Sequence, residues 1–381
     1  MRGIGVAVLL LGFAGCETTA PPMTTALSGP LSRDEARLWR EAAAEEARLE
    51  ASGFVVSLPE TEAYLNQVLA RLVAHEDVPV GQLRARVITD PALNAFAMPN
   101  GTIYLHTGLL GRLKNEAQLA TILAHELTHV VDRHGVLQYR HFRTNTALAS
   151  ALSAGAGGYG SLLGAFGAAA AITGYSRNLE RDADVQGYQR VLAAGYDVHA
   201  GQLVFDVLIE ESIRSDLKEP FFFGSHPKLK ERIANSFEFL QASPPTASST
   251  RIGERDYENT LPPVLRLDAA AAMRIGDFTG ADSTLLRLEL IAPDDAEGAF
   301  LRGEWYRKHD TAPDLNQAVE SYRRATLRNP MFGPAWRGLG ITLGGIGRES
   351  EGARALQRYL RLAPTASDYA HIAQLVTSWS R

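Results

Sequence analysis

Two histidines and a glutamate lie close together in residues 116–135, and this segment constrains the chain most strongly. Its apolar residues recur every three or four positions, which predicts a helix that Gly135 ends. Residues 125–129 read HELTH. Because positions i and i+4 share one helix face, His125 and His129 can offer imidazole nitrogens to one metal ion. Glu126 can reach a water molecule on that ion, so the segment predicts a hydrolytic zinc site with Glu126 as the base.

The third ligand must come from elsewhere in the chain. His134 is more than one helical turn beyond His129, and we expect it to point away from the metal. A second helix predicted at 178–196 carries Glu180, with Asp184 one turn later on the same face. Glu180 could complete the metal site while Asp184 accepts the N–H of a ligand histidine. The same acids would also suit a solvated helix face, so the spacing alone leaves both interpretations open.

Four segments resemble one family in both their residues and their order. They are NAFAMPNGTIYLHTGLL (94–110), AHELTHVVDRH (124–134), YSRNLERDADVQGY (175–188) and SHPKLKERI (225–233). Together they resemble the zinc metallopeptidases that include the CAAX prenyl protease, the HtpX protease and the Oma-type proteases. The resemblance spans residues 60–240 and is greatest to the BepA-like periplasmic branch, which carries C-terminal tetratricopeptide repeats.

This resemblance implies a fold, a cofactor and a set of roles. The fold is mainly α, a gluzincin-like metallopeptidase domain with a small β-sheet, followed by an α-helical solenoid of the tetratricopeptide type. One Zn²⁺ per chain is implied, with His125, His129 and Glu180 as ligands. Glu126 is then the general base, and Asp184 is the carboxylate that holds a ligand histidine.

The substrate strand is also implied by the resemblance. Thr102, Ile103 and Tyr104 begin the predicted strand TIYLH (102–106), and a strand at this place would pair with the main chain of an extended substrate. Residues 94–98 would then form part of the cleft wall. A plain core hairpin is an equally good interpretation of these residues.

Two further residues have several possible roles. His226 precedes a predicted helix that carries Arg232. The resemblance implies that His226 is a fourth ligand that holds the zinc site latent, or that His226 or Arg232 is a hydrogen-bond donor to the transition state. A histidine that only caps the helix is the third interpretation of His226.

The N-terminus predicts export and lipidation. Residues 1–15 contain Arg2 and then an uncharged run that is too short to span a bilayer, as in a signal peptide. Cys16 follows Phe-Ala-Gly, which resembles a bacterial lipoprotein box, and 16–30 have the composition of a tether. We therefore expect a periplasmic protein that a lipid on Cys16 anchors, with the outer membrane favoured over the inner one. An ordinary signal peptide and an uncleaved anchor are the alternatives.

Two segments flank the predicted metal helix. Ser32 and Glu35 have the spacing of a capping box, which predicts a helix that starts there. Residues 144–176 are rich in Ala, Gly and Leu and carry no charge. A single membrane crossing here would place Glu180 on the opposite side from the two histidines, so we expect a lid or a membrane-facing flap instead.

The remaining sequence divides into a linker and repeats. The metallopeptidase domain is expected at 31–240, a linker at 241–262 and repeats at 263–381. Pro330 and Pro364 each follow a predicted helix and are 34 residues apart, which resembles a tetratricopeptide array of three units. Residues 302–361 contain 11 Lys and Arg against 6 Asp and Glu, which suits an acidic protein partner or a plain solvated surface.

These observations predict a zinc endopeptidase of the bacterial periplasm. Its substrates would be polypeptides, namely misfolded or misassembled envelope proteins, and its repeats would recruit a protein partner. The net charge of −5 gives no reason to expect nucleic acid. The alternative function is a chaperone or assembly factor for outer-membrane proteins in which the zinc site is mostly latent.

Overall fold

The computed structural model describes residues 32–74, 83–144, 175–214, 229–242, 250–309 and 314–380. The predicted signal peptide and tether (1–30) lie outside these ranges, and so does the expected flap except for its ends. Cys16 and His226 lie outside them too. Among the described residues, no helix combines the length and apolar character needed to cross a bilayer.

The chain is mostly helical around a small sheet, as predicted. The N-terminal part contains the helices α1 (Arg33–Ala51), α2 (Pro59–Leu72), α3 (Thr107–Arg112), α4 (Glu116–Val131), α5 (His134–Thr144), α6 (Arg177–Ala193), α7 (Val198–Gln202), α8 (Val204–Arg214) and α9 (Leu229–Ala242). The strands are β1 (Val55–Val56), β2 (Arg84–Ile88), β3 (Ala95–Ala97) and β4 (Thr102–His106). The C-terminal part contains α10 (Glu254–Thr260), α11 (Pro262–Arg274), α12 (Phe278–Ile291), α13 (Ala296–Lys308), α14 (Leu315–Arg328), α15 (Gly333–Gly345), α16 (Glu349–Leu362) and α17 (Tyr369–Trp379).

The sheet has the strand order β1-β2-β4-β3. β4 pairs in parallel with β2, where Arg84 lies opposite Thr102, and antiparallel with β3, where Phe96 lies opposite Tyr104. All five residues of β4 are buried. β4 is therefore a central strand, and β3 lies at the edge of the sheet.

The helix α4 is the centre of the N-terminal part. Every residue from Glu116 to Val131 is buried, since α2, α6, α7, α10 and the strands β3 and β4 all contact this helix. Asn115 caps its start by accepting a hydrogen bond from the backbone N–H of Gln118. The prediction that Gly135 ends the helix is wrong. α4 ends at Val131, and Arg133 turns the chain with a positive φ of 58° before α5 begins at His134.

The helix α1 begins where the sequence predicts, but the capping box does not form. The Oγ of Ser32 makes no cap hydrogen bond and donates to Asp34 Oδ1 at 2.6 Å. Glu35 is buried and pairs instead with Arg133, whose Nε lies 3.0 Å from Glu35 Oε1. Because Ser32 and Glu35 bind these other partners, they do not cap the helix reciprocally. Glu35 instead forms a contact between α1 and the turn after α4.

Part of the segment predicted as a linker is packed structure. Residues 250–253 pass beside α4, and the Nε of Arg251 donates to the buried Glu116 at 2.5 Å. In α10, the hydroxyl of the buried Tyr257 donates to the carbonyl of Leu110 at 2.7 Å. These contacts fix residues 250–260 against the N-terminal part.

The C-terminal helices pack as the consecutive pairs α11/α12, α13/α14 and α15/α16, with α17 after them. Three pairs agree with the three tetratricopeptide-type units predicted from the proline spacing. Tyr322 is fully buried between α13 and α15, where a Cβ on Gly303 or Gly338 would come within 2.6 or 2.7 Å of its ring. Glycine at these two positions therefore lets successive pairs pack closely.

A partly buried carboxylate joins the second pair of this array. Glu304 Oε1 accepts from the Tyr322 hydroxyl at 2.6 Å, and its Oε2 accepts from Arg307 at 2.6 Å and from Lys308 at 2.9 Å. Burial acts to raise the pKa of Glu304, but these three hydrogen bonds outweigh it and lower the pKa to about 2. The carboxylate is thus charged at neutral pH.

Candidate metal centre

Three side chains from two helices converge on one point. His125 and His129 lie on α4, and their Nε2 atoms are 3.2 Å apart. Glu180, in the first turn of α6, places Oε2 at 3.5 Å from His125 Nε2 and Oε1 at 3.5 Å from His129 Nε2. All three residues are buried. In the described part of the chain, this is the group of His, Cys, Asp and Glu that could hold a metal ion.

The donor atoms of the three side chains lie at spacings close to those of a zinc site. Ligand atoms held tetrahedrally at ~2.0–2.1 Å from a zinc ion lie about 3.3–3.5 Å from one another. The two Nε2 atoms are 3.2 Å apart, and each lies 3.5 Å from one of the two carboxylate oxygens of Glu180, Oε2 for His125 and Oε1 for His129. Two imidazoles and one carboxylate also form a common donor set of catalytic zinc sites, which leave a fourth position open. The residues present therefore fit zinc.

A glycine allows the two metal helices to approach each other. Gly187 on α6 faces α4, and a Cβ there would lie 3.3 Å from the backbone nitrogen of His125. Ser176 starts α6 by accepting a hydrogen bond from the backbone N–H of Leu179, which places Glu180 in the first turn. Close packing and a defined helix start together place the carboxylate opposite the histidines.

Asp184 holds the first histidine. Its Oδ1 lies 3.0 Å from His125 Nδ1, on the side of the ring away from the metal position. Arg232 on α9 donates to the same carboxylate through Nε at 3.0 and 3.1 Å and through Nη2 at 2.7 Å. Burial acts to raise the pKa of Asp184, but the charge of Arg232 outweighs it and lowers the pKa. A charged Asp184 accepts the Nδ1–H of His125 and leaves Nε2 free to bind a metal.

Arg232, one of the candidate transition-state donors, lies beside the site and contacts Asp184 and His125. It is 5% exposed, and its Nη2 lies 3.0 Å from His125 Nδ1. The carboxylate holds this guanidinium in place through both Nε and Nη2, and these contacts favour a role in orienting ligands over a role in contacting substrate.

Glu126 lies beside the ligands and next to the edge strand. It is 1% exposed, and its carboxylate accepts a hydrogen bond from the backbone of Ala97 in β3. Burial raises the pKa of Glu126 to about 8, and the nearby charge of Glu180 acts in the same direction. A cation held by the ligands would oppose both effects through its charge.

The predicted substrate role of Thr102, Ile103 and Tyr104 needs correction. These residues lie on β4, whose two edges are already paired with β2 and β3. A central strand has no backbone groups left for a substrate strand. Among the described residues, β3 borders Glu126 and pairs on one side only, with β4. The residues predicted as part of the cleft wall, 94–98, contain β3.

The sequence interpretation missed two residues beside the second histidine. His134 does not point away: it is 2% exposed, and its Nδ1 lies 3.0 Å from His129 Nδ1. The ring of Tyr175 stacks on the ring of His129. The two ring centroids are 3.9 Å apart, and the angle between the ring planes is 11°. Burial lowers the pKa of His134 to about 4, so its ring is neutral at pH 7. Helical spacing could not show the His134 contact, because α4 ends at Val131 and the left-handed turn at Arg133 separates it from α5.

The fold and the site together define a class. Two histidines four residues apart on a buried helix, a glutamate from a second helix and a carboxylate beside the first histidine are the arrangement of HExxH metallohydrolases. Residues 59–237 match Peptidase family M48. The chain therefore carries a Peptidase family M48 domain, and this domain contains the whole candidate site.

Several curated proteins are similar to the chain over longer stretches. It is 27% identical to the beta-barrel assembly-enhancing protease of Yersinia pestis over 336 residues, which are 84% of this chain and 64% of that protein. It is 27% identical to the protein of the same name from Escherichia coli (strain K12), over 59% of this chain and 47% of that protein. It is also 29% identical to the mitochondrial metalloendopeptidase OMA1 of Schizosaccharomyces pombe, over 53% and 58% of the two chains. The chain thus spans less than two thirds of each of these relatives.

Among solved structures, the chain is similar to the TPR2AB domain of yeast Sti1 in its pHSP90 complex. The match covers 70% of this chain and 98% of that one, at 12% identity and a TM-score of 0.29. A similarity this low supports no functional argument.

Proposed function

We propose that this protein is a zinc-dependent endopeptidase. One observation carries the proposal: the imidazoles of His125 and His129 and the carboxylate of Glu180 converge at spacings close to those of a zinc site. The match of residues 59–237 to Peptidase family M48 supports the same reaction. Bound there, zinc would act as a Lewis acid toward the scissile carbonyl and activate a water molecule.

The chain's own residues supply the proton transfers. Glu126 is buried beside the metal position and has the geometry of a general base that accepts a proton from water and later delivers it to the leaving amine. The N–H of Ala97 donates to this carboxylate and so fixes its position against the edge strand. We propose that Asp184 and Arg232 orient His125 rather than take part in proton transfer.

The edge strand provides a place for substrate. A polypeptide that adds to the edge of β3 would lie beside Glu126, and its main chain would supply most of the binding. Main-chain pairing tolerates many side chains, so we propose extended segments of unfolded or misassembled proteins as substrates. This assigns to β3 the role that the sequence suggested for Thr102, Ile103 and Tyr104.

The setting is the bacterial envelope. The relatives from Yersinia pestis and Escherichia coli are named beta-barrel assembly-enhancing proteases. We propose that this chain likewise acts in the periplasm on envelope proteins, and that a lipid on Cys16 anchors it, preferably to the outer membrane. The helix pairs α11–α16 would recruit a protein partner, since stacked pairs of this kind form extended binding surfaces.

A second candidate function is a chaperone or assembly factor for outer-membrane proteins. It would hold the zinc site latent, with His226 as a fourth ligand, and act through its repeats. The names of the relatives favour the chaperone function in part, because they contain the term assembly-enhancing as well as protease. Complete catalytic residues at the site favour the peptidase.

The test is the degradation of an unfolded protein by the full chain, purified in detergent. Wild type, Glu126→Gln and His226→Ala would be compared, with bound zinc measured in each. The peptidase predicts cleavage by wild type that Glu126→Gln abolishes while its zinc content stays the same. Faster cleavage by His226→Ala would support latency. Zinc bound in all three variants without any cleavage would reject the peptidase in favour of the chaperone.

A further inference from the structure

The turn after α4 has an unusual backbone. Arg133 adopts a φ of 58°, the left-handed region that residues other than glycine, asparagine and aspartate rarely enter. Among the described residues, it is the one non-glycine position with such a φ. Backbone strain of this kind costs on the order of 1–3 kcal/mol and persists only where surrounding contacts impose it.

Contacts around Arg133 explain why the strained turn persists. The side chain is 6% exposed, and its Nε lies 3.0 Å from Oε1 of the buried Glu35 on α1. Its backbone N–H donates to the carbonyl of Val130 at 3.1 Å, and its carbonyl accepts from the N–H of Val136 at 2.9 Å. The N-terminal helix α1 therefore holds the turn from outside the M48-matched region, which begins at residue 59.

The turn delivers one side chain to the metal centre. Immediately after Arg133, His134 lies with its Nδ1 at 3.0 Å from His129 Nδ1, and its ring meets the His129 ring edge-on at 73°. If Nε2 of His129 faces a metal, its Nδ1 must carry the proton and donate it. Nδ1 of His134 is then the acceptor, in the same way that Asp184 is the acceptor for His125.

We propose that His134 is the positioning residue for the ligand His129, and that the left-handed turn at Arg133, held by Glu35, exists to bring it there. Each ligand histidine then has its own acceptor: a carboxylate for His125 and a neutral imidazole for His129. Tyr175, stacked on the His129 ring, leaves that ring little room to rotate. The inference rests on the proposed metal site but not on proteolysis.

Three substitutions at His134 distinguish the effect of losing the hydrogen-bond acceptor from the effect of losing the volume of the ring. In His134→Asn, the amide oxygen can occupy the place of Nδ1. In His134→Gln, the amide lies one bond further out, and His134→Leu has no acceptor. Zinc affinity would be measured by competition with a chelator, in a Glu126→Gln background that prevents self-cleavage. Loss of a partner to a ligand histidine weakens metal affinity by about 10–100-fold.

We expect His134→Gln and His134→Leu to show that loss, and His134→Asn to stay within about 3-fold of the parent. The visible spectrum of bound Co²⁺ should change in the Gln and Leu variants and stay the same in Asn. His199→Leu, which changes an exposed histidine on α7, is the matched control. Equal affinity in all four variants would overturn the proposal, and so would an Asn variant as weak as Leu.

A second pair of variants tests the turn and remains informative if His134→Leu does not fold. Arg133→Gly accepts the positive φ, whereas Arg133→Val, with a β-branched side chain, does not. We expect Arg133→Val to lower the zinc affinity and Arg133→Gly to retain most of it. Equal affinity of the two variants would contradict a role for the turn. Zinc binding without proteolysis would refute only the proposed function.

Discussion

Replacing Asp184 by asparagine tests how the site is held together. The substitution keeps the shape of the side chain but removes a buried charge that faces both His125 and Arg232. Arg232 is 5% exposed, so its charge would lose the partner that compensates for burial. Breaking a buried ion pair in this way costs about 3–5 kcal/mol. Since domains are stable by only about 5–15 kcal/mol, the loss should be large but measurable.

Metal binding should weaken separately from stability. His125 would lose its charged acceptor, and removal of such a partner lowers metal affinity by about 10–100-fold, or about 1.4–2.8 kcal/mol. The two effects are measured apart: urea unfolding of chelator-treated protein gives the free energy of unfolding, and chelator competition gives zinc affinity. Asp182→Asn, an exposed acid on the same helix, is the matched control and should change neither quantity.

The double variant Asp184→Asn/Arg232→Met distinguishes the two causes. Methionine removes the unpaired charge and keeps much of the apolar volume, so most of the lost stability should return. Zinc affinity should stay low, because the acceptor for His125 is still uncharged. If the double variant were no more stable than the single one, burial of an unpaired charge would not be the cause. Zinc affinity within about 2-fold of wild type in Asp184→Asn would refute the orienting role.

Three further predictions concern packing and charge. A pKa of about 2 for Glu304 corresponds to about 3 kcal/mol of stabilisation at pH 7. Because the pKa is lowered, the stability of wild type relative to Glu304→Gln in urea unfolding should fall by about this amount between pH ~7 and pH ~2. A difference that does not change with pH would contradict this. Gly338→Ala should destabilise the protein by about 1–3 kcal/mol, because the added methyl group would collide with the ring of Tyr322. Gly345→Ala, with open space around it, should be neutral or slightly stabilising. Equal melting temperatures of the two variants would refute the packing argument. Gly187→Val should push α6 away from α4 and weaken zinc binding in chelator competition, and unchanged affinity would show that the helices need not approach so closely.

The metal ligands could be predicted because they depend on local geometry. His125 and His129 share a face of one helix, and Glu180 and Asp184 share a face of another, whatever the rest of the chain does. The assignment of Glu180 to the same ion as the two histidines came from the resemblance to the metallopeptidases, because the spacing alone also suited a solvated helix face. The 34-residue spacing predicted the helix pairs for the same reason, since each pair is a local unit.

Other features depend on contacts between distant segments. The pairing of β4 on both edges follows from the order of strands in the sheet, which the residues of TIYLH do not encode by themselves. The position of His134 follows from the left-handed turn at Arg133, and Glu35, nearly a hundred positions earlier in the sequence, holds that turn. The packing of residues 250–260 likewise depends on Glu116, a buried acid that the periodic pattern of α4 does not distinguish.

The most direct test of the metal centre is a crystal structure with diffraction data collected above and below the zinc absorption edge. We expect one anomalous peak, ~2.0–2.1 Å from the Nε2 atoms of His125 and His129 and within ligand distance of the Glu180 carboxylate. The same crystals of Glu180→Gln should show a much weaker peak. A protein that is active on peptide bonds but has no anomalous peak at these three residues would contradict the central claim.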